Sequence, residues 1–337
     1  MSVKSPERVW WYAFGYFACY VPYSAITKAL STKSIAGPDR LRGLEIVPGA
    51  TLTSMVAMFA VITALGWWSY PGRLAVGPLR IPAPNRWTLL GGLATAVIVL
   101  TTTLAYTFEG VSIPIVMLLM RGGVLMLAPI VDAIARRPVR WFSWVALALS
   151  ALSLLDALIN GNGFGMPALC ALDIVMYLFG YFVRLRLMSR LGKSDDPDTN
   201  RRYFVEEQMV ATPAAVLFLA FFALLGPASL SDPLRRGFAA LFTHRFALWI
   251  VLAGVLSQGT GLFGGLVLLD ARENTFCVPL NRASSILAGL IASTFLAVRF
   301  GQHPPSFWEI VGAVLVVISI LVLWAGPRIR SRASGAR

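Results

Sequence analysis

The chain has 337 residues, 57% of them hydrophobic and only 13% charged, with a mean hydropathy of +0.71. A water-soluble domain could not hide that much apolar surface, so the expected solvent is a lipid bilayer. The net charge of +13 would suit a nucleic-acid partner, but its distribution along the chain points to membrane orientation instead.

A membrane-spanning helix needs about 20 mostly apolar residues. Ten such stretches follow one another, at 9–29, 46–68, 87–107, 111–133, 141–159, 166–187, 203–225, 246–269, 275–297 and 306–325. The first is long, aromatic and followed by nine more, so it reads as a span and not as a cleavable signal. Its Tyr12, Tyr16, Tyr20 and Tyr23 recur at helical spacing on one face. The fourth span carries Arg121, and the sixth carries Tyr177 and Tyr181. Asp156 and Asp173 fall near span ends and read as interfacial. Glu206 and Glu207 lie early in the seventh span. In the eighth, "GTGLFGG" (259–265) spaces Gly261 and Gly265 for close helix contact. The ninth, "CVPLNRASSILAGLIASTFLAV" (277–298), places Asn281 and Arg282 near its start. Pro22, Pro114, Pro129, Pro213 and Pro279 lie within spans, where breaks are tolerated if they line a cavity. A basic tail, 328–337, closes the chain.

Charge sets the expected orientation. With the N-terminus in the cytoplasm, ten spans return the C-terminus there. The cytoplasmic segments then hold 19 Lys and Arg and the outer segments 8, the bias of the positive-inside rule. The ten tryptophans all fall near span ends, where an amphipathic indole anchors at the interface.

Sliding the sequence against itself by 161 residues lays Arg121 on Arg282 and Glu109 on Asp270. The same offset lays "MRGGVL" on "NRASSI", Tyr16 on Tyr177, Tyr20 on Tyr181, and "EIVPGAT" (45–51) on "EEQMVAT" (206–212). The expected architecture is therefore all-α and integral to the membrane, ten helices in two five-helix repeats, 1–160 and 161–327. Five is an odd number, so the second repeat enters the membrane from the opposite side. Carriers built this way bind substrate near the midplane between the repeats. Twelve residues of helix span about 18 Å, so both arginines are expected near the bilayer centre. A charge there costs from a few to more than ten kcal/mol, and persists where it meets a watery cavity or an acidic partner.

Arg121 and Arg282, with Asn281 and the tyrosines 16, 20, 177 and 181, are the candidate substrate-binding set. Guanidinium groups offer planar, bidentate donors suited to carboxylate or phosphate. Glu206 and Glu207 are the candidate coupling or ion-pairing carboxylates, with Glu206 expected to alternate between Arg282, a proton and the substrate. No catalytic constellation, metal-ligand cluster or phosphate loop stands out, so neither an enzyme, a metal nor a cofactor is expected. The expected partners are a small-molecule substrate and the lipid bilayer, with a homodimer left open and nucleic acid not expected. The function read from these features is secondary transport of a small polar or anionic metabolite. The rival readings are a multidrug exporter that uses the tyrosine faces, and a non-transporting sensor or assembly subunit in which the arginines only fix packing.

Ten spans in five-plus-five inverted repeats with both ends cytoplasmic resemble the drug/metabolite transporter superfamily, whose ten-helix carriers include EamA-type and nucleotide-sugar/triose-phosphate-type proteins. Within it, "PLNRASSILAGL" (279–290) is similar to the Gly-Ala-Leu-Asn-Lys signature of nucleotide-sugar transporters. "SIPIVMLLMRGGVLMLAP" (112–129) is similar to their fourth helix, which also carries a basic residue. The resemblance implies a cavity opened alternately to either side, with Asn281, Arg282 and, by symmetry, Arg121 at the ligand. "YFVEEQMVATP" stands where those carriers have a Phe-Tyr-Asn-Asn motif, so nucleotide recognition is not carried over. The expected location is a multi-pass position in a membrane, the inner membrane if the cell is bacterial.

With Cys19, Cys170 and Cys277 replaced, single cysteines placed within 191–200 and within 328–337 should both react with an impermeant label from the cytoplasmic side. Labelling of the two from opposite sides would refute the even span count.

Overall fold

The computed structural model describes residues 8–76, 79–104, 113–159, 168–302, 304–305 and 307–335. Glu109, His303 and the expected boundary at 160/161 lie outside the described residues. The helices are α1 (Arg8–Ser31), α2 (Lys33–Ala36), α3 (Gly43–Ala64), α4 (Arg86–Leu104), α5 (Ile113–Ile134) and α6 (Trp141–Ile159). They continue with α7 (Ala168–Leu187), α8 (Pro197–Leu225), α9 (Ala228–Thr243), α10 (Ala247–Leu268), α11 (Asn274–Phe300) and α12 (Phe307–Gly335). A short antiparallel hairpin, β1 (Arg73–Val76) with β2 (Leu79–Pro82), joins α3 to α4. Among the described residues the fold is helical apart from this hairpin.

Among the described residues, six helical segments are long and apolar enough to cross a membrane by length and composition: Gly43–Ala64, Ala168–Gly192, Pro197–Leu225, Ala247–Leu268, Asn274–Phe300 and Ile310–Pro327. The chain is thus of the multi-pass membrane type. Large apolar side chains cover its outside, among them Phe14, Leu172, Leu217, Leu248, Val298 and Leu321, as a lipid-facing surface requires.

Local chemistry explains several helix ends. Asp196 caps α8 by accepting from the backbone N–H groups of Asp198 at 3.2 Å and Thr199 at 3.1 Å, with Pro197 at the first helical position. The Thr199 hydroxyl and these two N–H groups hold the Asp196 carboxyl below the usual carboxylate range. Glu45 reaches back 2.8 Å to the N–H of Arg42 at the start of α3. Gly301 ends α11 in the left-handed region, at φ 64°. At the other end of the chain, α12 passes through Pro327 and stays helical to Gly335. The expected tail at 328–337 is therefore mostly a continuation of the last helix.

The helices pack in a regular order. α1 lies against α10 and α11, and α7 lies against α4 and α5. α3 packs on α10, α8 packs on α4, and α3 also meets α8. α6 and α12 pair with each other and both touch α11. The main core runs through this bundle, from Val9, Met58 and Met120 to Phe142, Phe204 and Phe276.

Small residues let the helices approach. At Gly264 an added Cβ would stand 2.9 Å from the Tyr16 ring and 3.1 Å from the Asn281 amide, and at Gly265 it would stand 2.9 Å from Phe204. At Gly261 it would meet only its own helix's Gln258, at 3.2 Å. The close contact expected of Gly261 and Gly265 thus belongs to Gly264 and Gly265, because the helix turns Gly261 away from α1 and α8.

Gly254 is packed more tightly still: a Cβ there would lie 2.5 Å from the Ala50 carbonyl and 2.7 Å from Thr53 Cβ. Gly289 has nothing within 4 Å of that position. Gly254→Ala should therefore lower thermal stability in detergent, by about 1–3 kcal/mol for overpacking. Gly289→Ala should be neutral or raise stability by up to about 1 kcal/mol through helix propensity. Equal melting temperatures for the two variants would contradict this packing.

Candidate functional site

Four helices converge on one cluster. α1 and α7 each present two tyrosines one turn apart, so the rings stack along each helix face. The Tyr16 and Tyr20 centroids are 5.4 Å apart, and those of Tyr177 and Tyr181 are 4.9 Å apart. α5 and α11 supply the arginines. Arg121 Nη2 donates to the Tyr20 hydroxyl at 2.9 Å. The Arg282 guanidinium lies over the Tyr181 ring, 4.9 Å from its centroid, a cation–π contact. Arg121 and Arg282 lie within electrostatic reach of each other, and Tyr16 and Tyr177 each feel both. Asn281 is buried beside Gly264, at the same level as Tyr16. The seven residues singled out for substrate binding thus come together in one place.

Charge is the decisive feature of this cluster. Among the described residues no carboxylate pairs with Arg121 or Arg282. Arg282 is only 7% exposed, and its Nε has no hydrogen-bond partner. Tyr16, Tyr177 and Tyr181 are buried around it, while Arg121 and Tyr20 keep partial access. Two permanent cations therefore stand close together among buried tyrosines. Guanidinium and phenol groups are donors that suit carboxylate or phosphate oxygens.

Glu206 and Glu207 stand elsewhere. The Glu206 carboxylate accepts from Gly72 N–H at 3.0 Å, Asn85 Nδ2 at 3.0 Å, Thr88 Oγ1 at 2.8 Å and Arg202 Nε at 2.9 Å. It pins both ends of the hairpin connection to α8 and makes no contact with Arg282. Glu207 accepts from Arg184 Nε at 2.6 Å and from Thr95 Oγ1 at 2.7 Å. Arg184, at the end of the sixth expected span, is buried. Its spacing was a usable signal, since Asp173, Tyr177, Tyr181 and Arg184 fall on one face of α7. Asp173 likewise lies inside the fold and not at its surface.

Other polar groups at the Glu206 end of the bundle were not anticipated. Asp132 Oδ1 accepts from Asn274 N–H at 2.9 Å and Asn274 Nδ2 at 2.7 Å, and its Oδ2 accepts from Thr275 N–H at 2.7 Å. It thereby caps the buried start of α11. Lys193 Nζ donates to the carbonyls of Asp270 and Arg272. Glu273 accepts from the Ser143 hydroxyl at 2.7 Å. Beyond the C-terminal end of α1, Lys33, Arg40, Arg42, Glu45 and Arg236 line a recess of about 570 Å³. It is separate from the arginine–tyrosine cluster and strongly basic.

No family model matches the chain, and no curated protein matches it. Solved structures do. One, described only as "Crystal structure of protein", superposes with a TM-score of 0.57 at 12% identity, covering 94% of this chain and 96% of that one. At that identity the likeness is one of fold, over nearly the full length of both chains.

Arg184→Met leaves the wholly buried Glu207 with only the Thr95 hydroxyl. It should cost about 3–5 kcal/mol, as for a broken buried pair. The double variant Arg184→Met/Glu207→Leu should recover much of that loss, measured by thermal unfolding in detergent. Additive losses would show that the two side chains do not act as a pair.

Proposed function

We propose that this chain is a secondary carrier of a small anionic metabolite, and that Arg121 and Arg282 hold the substrate between the tyrosine faces of α1 and α7. The observation that carries this reading is the pair of guanidiniums in a buried cluster with no carboxylate beside them among the described residues. A protein using arginines only to fix packing would neutralise them, as this chain does for Arg184 with Glu207. The basic recess at the end of α1 supports the same class of substrate, since a concentration of cations raises the local concentration of anions.

On this reading the ten helices of nineteen residues or more are all spans, arranged as two inverted repeats. The offset of 161 residues carries the start of α4 onto that of α10, the start of α5 onto that of α11, and the end of α3 onto that of α8. The packing obeys the same exchange: α1 on α10 and α11 becomes α7 on α4 and α5, and α3 on α10 becomes α8 on α4. Together with the charge bias, this supports a carrier of the drug/metabolite transporter type with both ends in the cytoplasm of a cell's inner membrane or an endomembrane. The networks around Glu206, Asp132 and Lys193 then close the cytoplasmic side. Alternating access requires them to separate as one repeat rocks against the other.

Proteoliposomes tested against a panel of small carboxylates, phosphates and sulfate should show uptake of a subset. Arg→Lys at 121 or 282 keeps charge but loses the fork, and should weaken binding by about 1.5–3 kcal/mol, roughly ten- to a hundredfold in Kd. Arg→Gln should be weaker again. Neither substitution strands a carboxylate, so all four variants should melt near the wild-type temperature. Folded variants that bind the panel as wild type does would remove both residues from the site.

A further inference from the structure

Asp173 lies on α7 one turn before Tyr177 and two turns before Tyr181. Its neighbours Leu172, Val175 and Met176 face outward, while Asp173 is 5% exposed. Both of its carboxyl oxygens are buried, and neither has a hydrogen-bond partner among the described residues.

The ionisable groups of the surrounding helices are committed elsewhere. α4 carries Arg86, at its far end and over the Trp87 ring. α5 carries Arg121, bonded to Tyr20, and Asp132, bonded to Asn274 and Thr275. On α7 itself, Arg184 is paired with Glu207, Arg186 lies in the last turn, and Tyr177 and Tyr181 stack on each other. Cys170 contributes a thiol one turn away. Among the described residues no cation therefore compensates an ionised Asp173. An unpaired buried carboxylate is costly, and forming an O–H bond with a proton from water removes that cost.

We infer that Asp173 is a proton-binding site coupled to anion occupancy at Arg121 and Arg282, so that a proton and the anion are carried together. The inference rests on the anion-carrier reading above. Its sign follows from electrostatics. Eight residues of helix separate Asp173 from Tyr181, about 12 Å, and Arg282 sits over the Tyr181 ring. An ionised Asp173 offsets part of the positive potential that attracts the anion, and a protonated one does not. At an effective permittivity of about 20, one charge at that distance changes the anion's Kd roughly tenfold. By reciprocity, anion and proton tighten each other's binding by the same factor. The proton enters from water on one side and returns to water on the other, and the carboxyl is regenerated.

Sulfate is a suitable probe because it does not itself titrate near neutral pH. Its binding to the full chain in nanodiscs should be measured at acidic and alkaline pH for wild type, Asp173→Asn and Asp173→Glu. Wild type and Asp173→Glu should bind about tenfold more tightly at acidic pH. Asp173→Asn, a mimic of the protonated group, should bind tightly at both. Wild-type pH dependence in Asp173→Asn would overturn the coupling while leaving the anion site intact. Failure of wild type to bind sulfate at either pH would overturn the anion site itself, and the coupling with it. Should Asp173→Asn not fold, proton uptake on adding sulfate to wild type, followed with a pH dye, decides: uptake supports the coupling and its absence overturns it.

Discussion

Two guanidiniums in an apolar bundle, with no counter-charge among the described residues, are the constraint around which the rest of the structure is arranged. A cation in low dielectric costs several kcal/mol unless something answers it. Here the answer among the described residues is only partial: a phenol hydroxyl for Arg121 and an aromatic face for Arg282. Such contacts are worth about 0.5–3 kcal/mol each, less than a buried carboxylate would supply. The cluster therefore keeps a positive potential. The tyrosines surround the arginines with hydroxyls and polarisable rings.

The carboxylates follow the opposite rule. Glu206, Glu207 and Asp132 are each buried, and each is surrounded by donors from different helices. They bind α8 to the hairpin and α4, α8 to α7, and α5 to the start of α11. Their donors are backbone N–H groups, hydroxyls and arginines already in place, so these networks are closed and none of their oxygens is left for the arginine cluster. Asp173 is the exception, buried with both oxygens unpartnered among the described residues. Stable closure at one end and unanswered charge in the middle are what a carrier of the proposed kind needs. A gate must hold when shut, while a binding site must remain unsatisfied until its ligand arrives.

The membrane class was legible in composition alone, and the helix positions in hydropathy, because both depend on solvent and backbone hydrogen bonding. The candidate binding residues were legible through the internal offset: Arg121 with Arg282, and Tyr16 and Tyr20 with Tyr177 and Tyr181. Less visible was the assignment of charges to partners. Glu206 seemed available to Arg282 because both lie in spans. The structure instead gives it to the hairpin and Arg202, four residues earlier on its own helix. Asp173 sat close enough to a span end to read as interfacial, and only the packing of α7 against α4 and α5 put it inside. Gly261 shared a motif spacing with Gly265, yet the contact fell to Gly264.

Sequence alone determined that the chain is of the helical membrane class and which apolar stretches form its helices. Those features depend on periodicity and on the cost of exposing a backbone to lipid, and both can be read along one helix at a time. Tertiary structure decided which carboxylates are neutralised, which arginines are not, and that Asp173 faces inward without a partner. Pairing over a few ångströms depends on how helices far apart in sequence rotate against one another, and hydropathy carries no record of that rotation.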